Sequence, residues 1–266
     1  MNNAKIIAVT QSIMKIETDG KYGDVNTRPM SEMNTAKIIA VTKPLVEGID
    51  TAEEFVAYTA RVSNPSNQMN KETSSKLLRY CINNKHWSIF EQVSITMDIV
   101  TTRDIAHQII RHRSFSFQEF SQRYSNPTED MGFVTREARL QDQKNRQNSI
   151  ETDDKELQNR WANKQNLATY YAKEAYQWAI ENDIAKEQAR AVLPEGLTAT
   201  RLYMSGTLRS WIHYIDVRAE EGTQKEHREI ALAARDEILG HFPSLNDYWY
   251  SAPEPVVENK PWWKVW

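Results

Sequence analysis

The sequence predicts an α+β fold in which a mostly antiparallel sheet packs against several long helices. Residues 90–100 alternate apolar and polar side chains as a half-buried strand does, and residues 197–207 are rich in threonine and aromatic residues. Apolar residues recur at intervals of three, four or seven over 155–181, which indicates a long amphipathic helix. Because strands and helices do not alternate regularly along the chain, a repeated βαβ sheet is not predicted.

Length and composition limit the classes of protein to which the chain can belong. At 266 residues the chain can bury one large core or two small ones. A net charge of −3 gives no global reason to expect nucleic-acid binding, which usually shows a basic footprint. No apolar run is long enough for a bilayer, and no secretion signal is recognised. The single cysteine, Cys81, excludes an intramolecular disulfide framework, so we expect a cytoplasmic protein.

The first half of the chain begins with a short repeat. Residues 1–10 (MNNAKIIAVT) return at 33–42 as MNTAKIIAVT with nine of ten positions identical, and both copies are typical of a strand. The further elements predicted in this half are a helix from Thr51, a loop at 64–67, a helix over 71–84, the strand at 90–100 and a short helix that opens at Thr102 to Asp104 and delivers Arg111 at its end.

The second half is predicted to be mostly helical. Residues 136–156 are almost wholly polar and are predicted to form a surface loop. The apolar stripe of the long helix consists of Leu157, Trp161, Ala168, Tyr171, Ala175 and Trp178. The elements predicted after it are a short helix over 185–192, the strand at 197–207, and helices over 208–217 and 224–240. The tail, 251–266, combines prolines with three tryptophans, and we expect it to pack onto the body or a neighbouring subunit.

Residues 111–124 are the densest cluster of reactive side chains in the chain. Three arginines, one histidine, one glutamate and three serines fall within this stretch. Arginine presents a planar fork of donors to phosphate or carboxylate oxygens, and histidine can donate or accept a proton near neutrality. A solvated loop is the usual alternative for such a cluster. Phe115, Phe117 and Phe120 count against it, because they would pull the segment against a core.

The order of residues in this cluster resembles the signature of flavin-dependent thymidylate synthases. Arg-His-Arg at 111–113 is followed after seven residues by Ser121, with Glu119 and Arg123 also in place. The resemblance extends over roughly residues 36–245. Further matching segments, in the right order, are His86 to Glu91, Gln108, Ala189 to Pro194, and Arg218. The resemblance implies three regions, which are an N-terminal extension at 1–32, a catalytic domain at 33–250 and the tail at 251–266.

The resemblance also implies a reaction and its cofactors. A member of this family methylates dUMP reductively to dTMP, with FAD as cofactor, 5,10-methylenetetrahydrofolate as carbon donor and NADPH as reductant. It implies no metal. His107 and His112 are five apart and so do not share a helix face, and no cysteine or carboxylate cluster completes a metal site. Cys81 falls on the apolar face of a predicted helix, where a thiol is inert, so we expect no thiol nucleophile.

The resemblance assigns roles to individual residues. The residues that it places at the flavin are His86, Ser88, Arg111, His112, Arg113, Glu119 and His213. The residues that it places at the nucleotide are Gln108, Arg111, Glu119, Ser121, Gln122, Arg123, Arg190 and Arg218. Departures from the family pattern are Ile89 in place of proline, Gln92 in place of histidine, and His213 where some members have asparagine.

Arg218 and Ser121 are the residues assigned to the catalytic group. A guanidinium at the N3/O4 edge of uracil would favour ionisation at N3 and push electron density to C5, the carbon that is methylated. We expect Arg218 to do this without touching the flavin contacts. A serine needs an adjacent base to attack as a nucleophile, and only Glu119 is near Ser121 in the sequence.

Two statements about partners complete the expectations. The resemblance implies a homotetramer with active sites shared between subunits, and eight tryptophans are more than one core readily hides. The alternative function is a single-stranded nucleic-acid-binding module that uses the arginines and phenylalanines of 111–123. The acidic net charge counts against this alternative.

Overall fold

The computed structural model describes residues 27–250 and builds them around an antiparallel sheet. The strands are β1 (Thr27–Pro29), β2 (Thr35–Val41), β3 (Ser94–Thr102), β4 (Ser116–Glu119), β5 (Phe133–Thr135), β6 (Arg139–Gln141), β7 (Ser149–Glu151) and β8 (Ala199–Thr207). The helices are α1 (Ala52–Ala60), α2 (Ser74–Asn83), α3 (Arg103–Ile109), α4 (Pro127–Asp130), α5 (Lys155–Glu181), α6 (Lys186–Ala189), α7 (Leu208–Arg218), α8 (Lys225–His241) and α9 (Asn246–Tyr250).

The sheet topology confirms the predicted α+β class. The central sheet has the order β2–β3–β8–β4 with every neighbouring pair antiparallel. β6 pairs with β7 as a separate antiparallel hairpin, and β1 runs parallel to β5. Within residues 27–250, no helix has both the length and the apolar character needed to cross a membrane.

The ladder between β3 and β8 forms the centre of the core. Its register runs from Ser94 opposite Thr207 to Thr102 opposite Ala199. Alternate residues face the same side, so the buried side chains of the two strands meet directly, as Met97 does with Met204. Helices α3, α7 and α8 cover this face and share its hydrophobic core. The indole N–H of Trp211, in α7, donates to the Ile95 carbonyl at 3.2 Å.

The end of the predicted extension is part of the fold. β1 pairs in register with β5, from Thr27 opposite Phe133 to Pro29 opposite Thr135. Met30 follows directly and is buried in the main core. The first copy of the repeat, at 1–10, and the tail at 251–266 lie outside the described residues, so the expectations for both stay predictions.

Local structure departs from the sequence prediction in three places. The strand predicted from residue 90 starts at Ser94, because residues 87–92 wind into a 3₁₀ turn that buries Phe90. The polar segment 136–156 contains the β6–β7 hairpin, where the Lys225 ammonium joins Glu137 at 2.7 Å and Glu151 at 2.6 Å. β4 was not predicted, since four polar and aromatic residues give no clear alternation.

Helix α5 forms as predicted but packs with a different face. The buried residues are Gln165, Thr169, Ala172, Tyr176 and Ala179. The members of the predicted apolar stripe are all exposed, namely Leu157, Trp161, Ala168, Tyr171, Ala175 and Trp178. The Gln165 amide explains why this face of α5 is buried. It accepts from the Arg136 N–H and donates to the Arg136 carbonyl, both at 2.8 Å. Within residues 27–250 the apolar stripe is therefore left exposed.

We expect Gly206→Ala to destabilise the protein by about 1–3 kcal/mol, the usual effect of overpacking a core. A Cβ at Gly206, in β8, would lie 2.4 Å from Cδ1 of Phe115. Phe115 cannot easily move, because its ring packs edge-on against Trp211 with the centroids 4.8 Å apart. Urea denaturation measures the change. Gly240→Ala in α8 is the matched control, since a Cβ there meets nothing within 4 Å, and it should not destabilise.

Candidate active site

A hydrogen bond between Arg218 and His112 joins two parts of the predicted site. The Arg218 Nε donates to His112 Nε2 at 2.9 Å, although 106 residues separate them in the chain. Burial, together with the nearby charges of Arg218 and Arg111, lowers the pKa of His112 to about 4. The imidazole is therefore neutral near pH 7, with its proton on Nδ1. Arg218 thus contacts a residue that the sequence assigned to the flavin, and the expectation that it leaves the flavin contacts untouched stays a prediction.

Three further side chains lie behind this pair. His227 Nε2 lies 3.1 Å from the Tyr214 hydroxyl, and His227 Nδ1 lies 3.2 Å from Oε1 of Gln108. The His112 ring packs edge-on against Tyr214 with the ring centroids 5.0 Å apart. We call Gln108, His112, Tyr214, Arg218 and His227 the histidine cluster. It brings together three predicted site residues from α3, α7 and the loop between α3 and β4.

Glu119 and Ser121 lie at the end of β4. The Glu119 carboxylate accepts from Arg103 Nη1 at 3.1 Å and from the Thr200 hydroxyl at 3.0 Å. Ser121 Oγ accepts from the backbone N–H of Arg123 at 3.4 Å. Among the described residues no hydrogen bond joins Glu119 to Ser121. Ser121 therefore has no base that could activate it as a nucleophile in the described part of the chain.

The segment after Ser121 packs near the predicted phosphate contact Arg190. Arg123 forms an ion pair with Glu187 at 3.2 Å, and Glu187 lies in α6, directly before the 3₁₀ turn that begins at Arg190. Gln122 is buried, and its Nε2 has no hydrogen-bond partner among residues 27–250. A buried donor without a partner is costly, so it favours a site that a ligand completes.

A cavity of about 460 Å³ adjoins the predicted flavin contacts. Trp87, Ser114 and His213 are among its lining residues. Ser114 directly follows Arg113, while His86 and Ser88 flank Trp87 and are exposed. The other lining residues are Glu91, Arg209, Ser210, Ile212 and Asp216.

One wall of this cavity is fixed from both sides. Arg209 forms an ion pair with Glu91 across the lining. Asp216 accepts from the Tyr248 hydroxyl at 2.8 Å and from the Trp249 indole N–H at 3.1 Å. These bonds tie α9 to α7, so the last described helix holds the cavity wall in place.

The residues present fit an anionic, planar flavin. Arg111 and Arg113 are exposed, and within residues 27–250 no carboxylate forms an ion pair with either. They lie on both sides of neutral His112, whose Nδ1–H is a donor. Two uncompensated cations and a neutral donor suit a ring system that gains negative charge on reduction.

Other chemistry has little support in the described residues. No group of three or more histidine, cysteine or carboxylate side chains that could hold a metal occurs in residues 27–250. Cys81 is buried, and burial raises the pKa of its thiol to about 11. A thiol with so high a pKa is a poor nucleophile near neutrality.

The sequence interpretation did not single out Arg103, Tyr214 or His227. Arg103 and Tyr214 gave no signal, because an arginine at a helix start and a tyrosine on an apolar face are common. His227 did give one. It occupies a core position in the helical stripe that continues through Ile230 and Ala234, and a titratable residue there needs a reason.

The comparisons with known proteins identify the class. A family model described as "Thymidylate synthase complementing protein" matches residues 44–244. The chain is 52% identical over 211 residues to a probable flavin-dependent thymidylate synthase of Paramecium bursaria Chlorella virus 1, covering 79% of this chain and 96% of the relative. It is also 52% identical over 213 residues to the flavin-dependent thymidylate synthase of Synechocystis, with the same coverage. The chain therefore belongs to the flavin-dependent thymidylate synthase family.

A solved structure agrees with this fold. The UMP/dUMP methylase PolB from Streptomyces cacaoi, bound with 5-Br dUMP, matches with a TM-score of 0.69 and 22% identity. The match covers 84% of this chain and 97% of that one. At this identity the likeness shows the fold alone, and it agrees with the fold that the sequence motifs indicated.

We expect the protein to lose stability as the pH falls below about 6.5. Burial and the neighbouring Arg218 and His112 lower the pKa of His227 to about 3. Above pH 6.5 neither state takes up a proton. Below it the unfolded chain binds one and the folded chain does not, which costs about 2 kcal/mol at pH 5 from His227 alone.

Urea denaturation at pH 8 and pH 5 measures this loss. His227→Leu should lose about 2 kcal/mol less than wild type between the two pH values. Tyr214→Phe, which removes the hydroxyl in contact with His227 but no imidazole, should keep the full loss. An equal loss in wild type and His227→Leu would contradict the assignment of the pH dependence to this residue.

Proposed function

We propose that the chain is an FAD-dependent thymidylate synthase that methylates dUMP to dTMP, with 5,10-methylenetetrahydrofolate as carbon donor and NADPH as reductant. The observation that carries the proposal is the 2.9 Å hydrogen bond between Arg218 and His112. It joins the cation expected to activate uracil to the histidine expected at the flavin. The family membership of the chain and the lack of an ion pair at Arg111, Arg113 and Arg218 within residues 27–250 support the same reaction.

Arg218 has the donors that its role requires. One guanidinium N–H goes to His112, and in the described part of the chain Arg218 forms no ion pair. The remaining N–H groups can bind the N3/O4 edge of uracil and stabilise negative charge there, which raises the electron density at C5. A reduced flavin held at this site would supply the hydride. Arg111, His112 and Arg113 would hold the flavin, with His213, His86 and Ser88 beside the cavity.

The nucleotide phosphate is assigned to a second group of residues. Arg123 and Arg190 lie in neighbouring segments and would supply charge, and Ser121 and Gln122 would supply neutral donors. Gln108 would hold the sugar or base. Among residues 27–250 no base forms a hydrogen bond with Ser121, so we assign it to binding and orienting the nucleotide rather than to attacking it. No observation favours the nucleic-acid-binding alternative, and we expect the enzyme to work in the reducing cytoplasm.

The test of this function is flavin content combined with product formation. Purified protein should absorb as a flavoprotein, release FAD on denaturation and form dTMP from dUMP when the carbon donor and NADPH are present. Arg218→Ala should lower dTMP formation by about 100-fold or more, the usual effect of removing a charge-stabilising donor. Arg146→Ala, an exposed arginine between β6 and β7, is the control and should be fully active. A colourless protein that takes up no FAD on titration would contradict the proposed function.

The proposal includes a homotetramer whose active sites are shared between subunits. The uncovered stripe of α5 supports it, since Trp161 is 44% exposed and Trp178 is 60% exposed in the single chain. Exposed tryptophans on one helix face are typical of an interface. Arg113 and Arg190 also have no hydrogen bond or ion pair in common among the described residues. A second copy can bring one of them to the other.

We expect Arg113→Ala and Arg190→Ala each to be inactive alone and to regain activity when mixed. If one subunit supplies Arg113 to the flavin and another supplies Arg190 to the phosphate, mixed tetramers contain some sites with both arginines. Mild dissociation, reassembly and an assay of dTMP formation measure this, with native mass spectrometry to verify mixing. Inactive mixed tetramers would assign both arginines to one subunit, and an active wild-type monomer on a sizing column would rule out shared sites.

A further inference from the structure

A buried histidine lies where α8 otherwise packs apolar residues onto the sheet. His227 has no exposed surface, and neither has Ile230 or Ala234 on the same helix face. A buried polar side chain needs hydrogen-bond partners, and both ring nitrogens of His227 have one. Nδ1 lies 3.2 Å from Gln108 Oε1, and Nε2 lies 3.1 Å from the Tyr214 hydroxyl. Core packing alone does not require these two hydrogen bonds, so they need another explanation.

The hydrogen bonds around His227 form a chain that starts at a carboxylate. Glu226 Oε1 accepts from Arg139 Nη2 at 2.6 Å, and Glu226 Oε2 accepts from Gln224 Nε2 at 3.0 Å. Gln224 Oε1 accepts from Gln108 Nε2 at 2.8 Å. Gln108 Oε1 then faces His227 Nδ1. The chain therefore runs from Glu226 through two amides to the imidazole.

The carboxylate fixes the direction of every bond in this chain. Burial raises the pKa of Glu226, but Arg136 and Arg139 outweigh burial and bring the pKa below its usual value. The charged carboxylate can only accept, so Gln224 must turn its amide N–H₂ toward it and its oxygen toward Gln108. Gln108 must then donate to Gln224 and offer its own oxygen to His227.

His227 is thereby held in one tautomer. Its Nδ1 faces an oxygen and must carry the proton, so Nε2 is an acceptor and the Tyr214 hydroxyl donates to it. A protonated ring would place a charge in a fully buried position near Arg218. The neutral Nδ1–H form is the one that satisfies both partners.

We propose that His227 is a positioning residue, which holds the Gln108 amide in one orientation for the nucleotide. Gln108 is half-buried, and after its bonds to Gln224 and His227 it keeps one N–H and one oxygen lone pair. The chain prevents the amide from turning over and exchanging them. A fixed order of donor and acceptor is what recognition of a sugar hydroxyl or a uracil edge requires. This inference rests on the proposed function, in which Gln108 contacts dUMP.

The test compares two substitutions in the flavin-loaded enzyme. His227→Leu is close in volume but cannot donate to Gln108, and it should raise both the KM and the calorimetric Kd for dUMP by about tenfold, the size of one hydrogen bond. The kcat and FAD content should stay within about twofold of wild type. His227→Asn places an amide near the position of Nδ1 and can donate to Gln108, so it should keep the KM within about threefold of wild type.

A double substitution separates positioning from a general loss of stability. In the Gln108→Ala background, His227→Leu should raise the KM no further, because the amide that it positions is absent. Effects that multiply would overturn the inference. If His227→Leu does not fold, His227→Gln replaces it, since its amide reaches the place of Nε2 and leaves Gln108 without a donor.

The outcomes for the inference and for the proposed function are distinct. A wild type that neither binds dUMP nor forms dTMP overturns both. A fully active wild type with the same KM as His227→Leu, or equal KM values for His227→Asn and His227→Gln, overturns the positioning role alone. Tenfold weaker dUMP binding with an intact kcat, restored by asparagine, supports it.

Discussion

The ladder between β3 and β8 is the constraint from which the position of the site follows. Because the strands are antiparallel, the helices that follow them start at opposite ends of the ladder, α3 after Thr102 and α7 after Thr207. Both helices pack on the same apolar face. His112, in the loop that follows α3, and Arg218, the last residue of α7, meet there. Two side chains far apart in the sequence come together without any long loop to carry them.

The charge at this meeting point is held by the helix and shapes its neighbours. Arg218 is the last residue of α7, where a cation is favoured by the helix dipole. Burial, with this cation close by, keeps the pKa of both His112 and His227 far below its usual value. The histidine cluster thus combines the charge of Arg218 with two neutral imidazoles. Neutral imidazoles can accept and donate at once, so they can orient other groups, which a pair of charged rings could not do.

The sequence predicted the main elements because their signals are local. The strand around 197–207 and the helices over 208–217 and 224–240 appear within one or two residues of the predicted ends, since strand composition and apolar periodicity are properties of short segments. Which residues approach each other is not local. The contact between Arg218 and His112 and the short strand β4 depend on pairing between distant segments, and no spacing in the sequence encodes them.

Helix α5 shows what periodicity can and cannot reveal. The spacing of its tryptophans correctly indicated an apolar face, but the chain packs the neighbouring face, which contains Gln165 and Thr169. A glutamine can occupy this buried position because its amide forms hydrogen bonds with both the N–H and the carbonyl of Arg136. A polar residue that completes backbone hydrogen bonds therefore marks the intramolecular face. Within residues 27–250 the apolar stripe stays exposed, and the proposed interface with a second copy rests on that exposure.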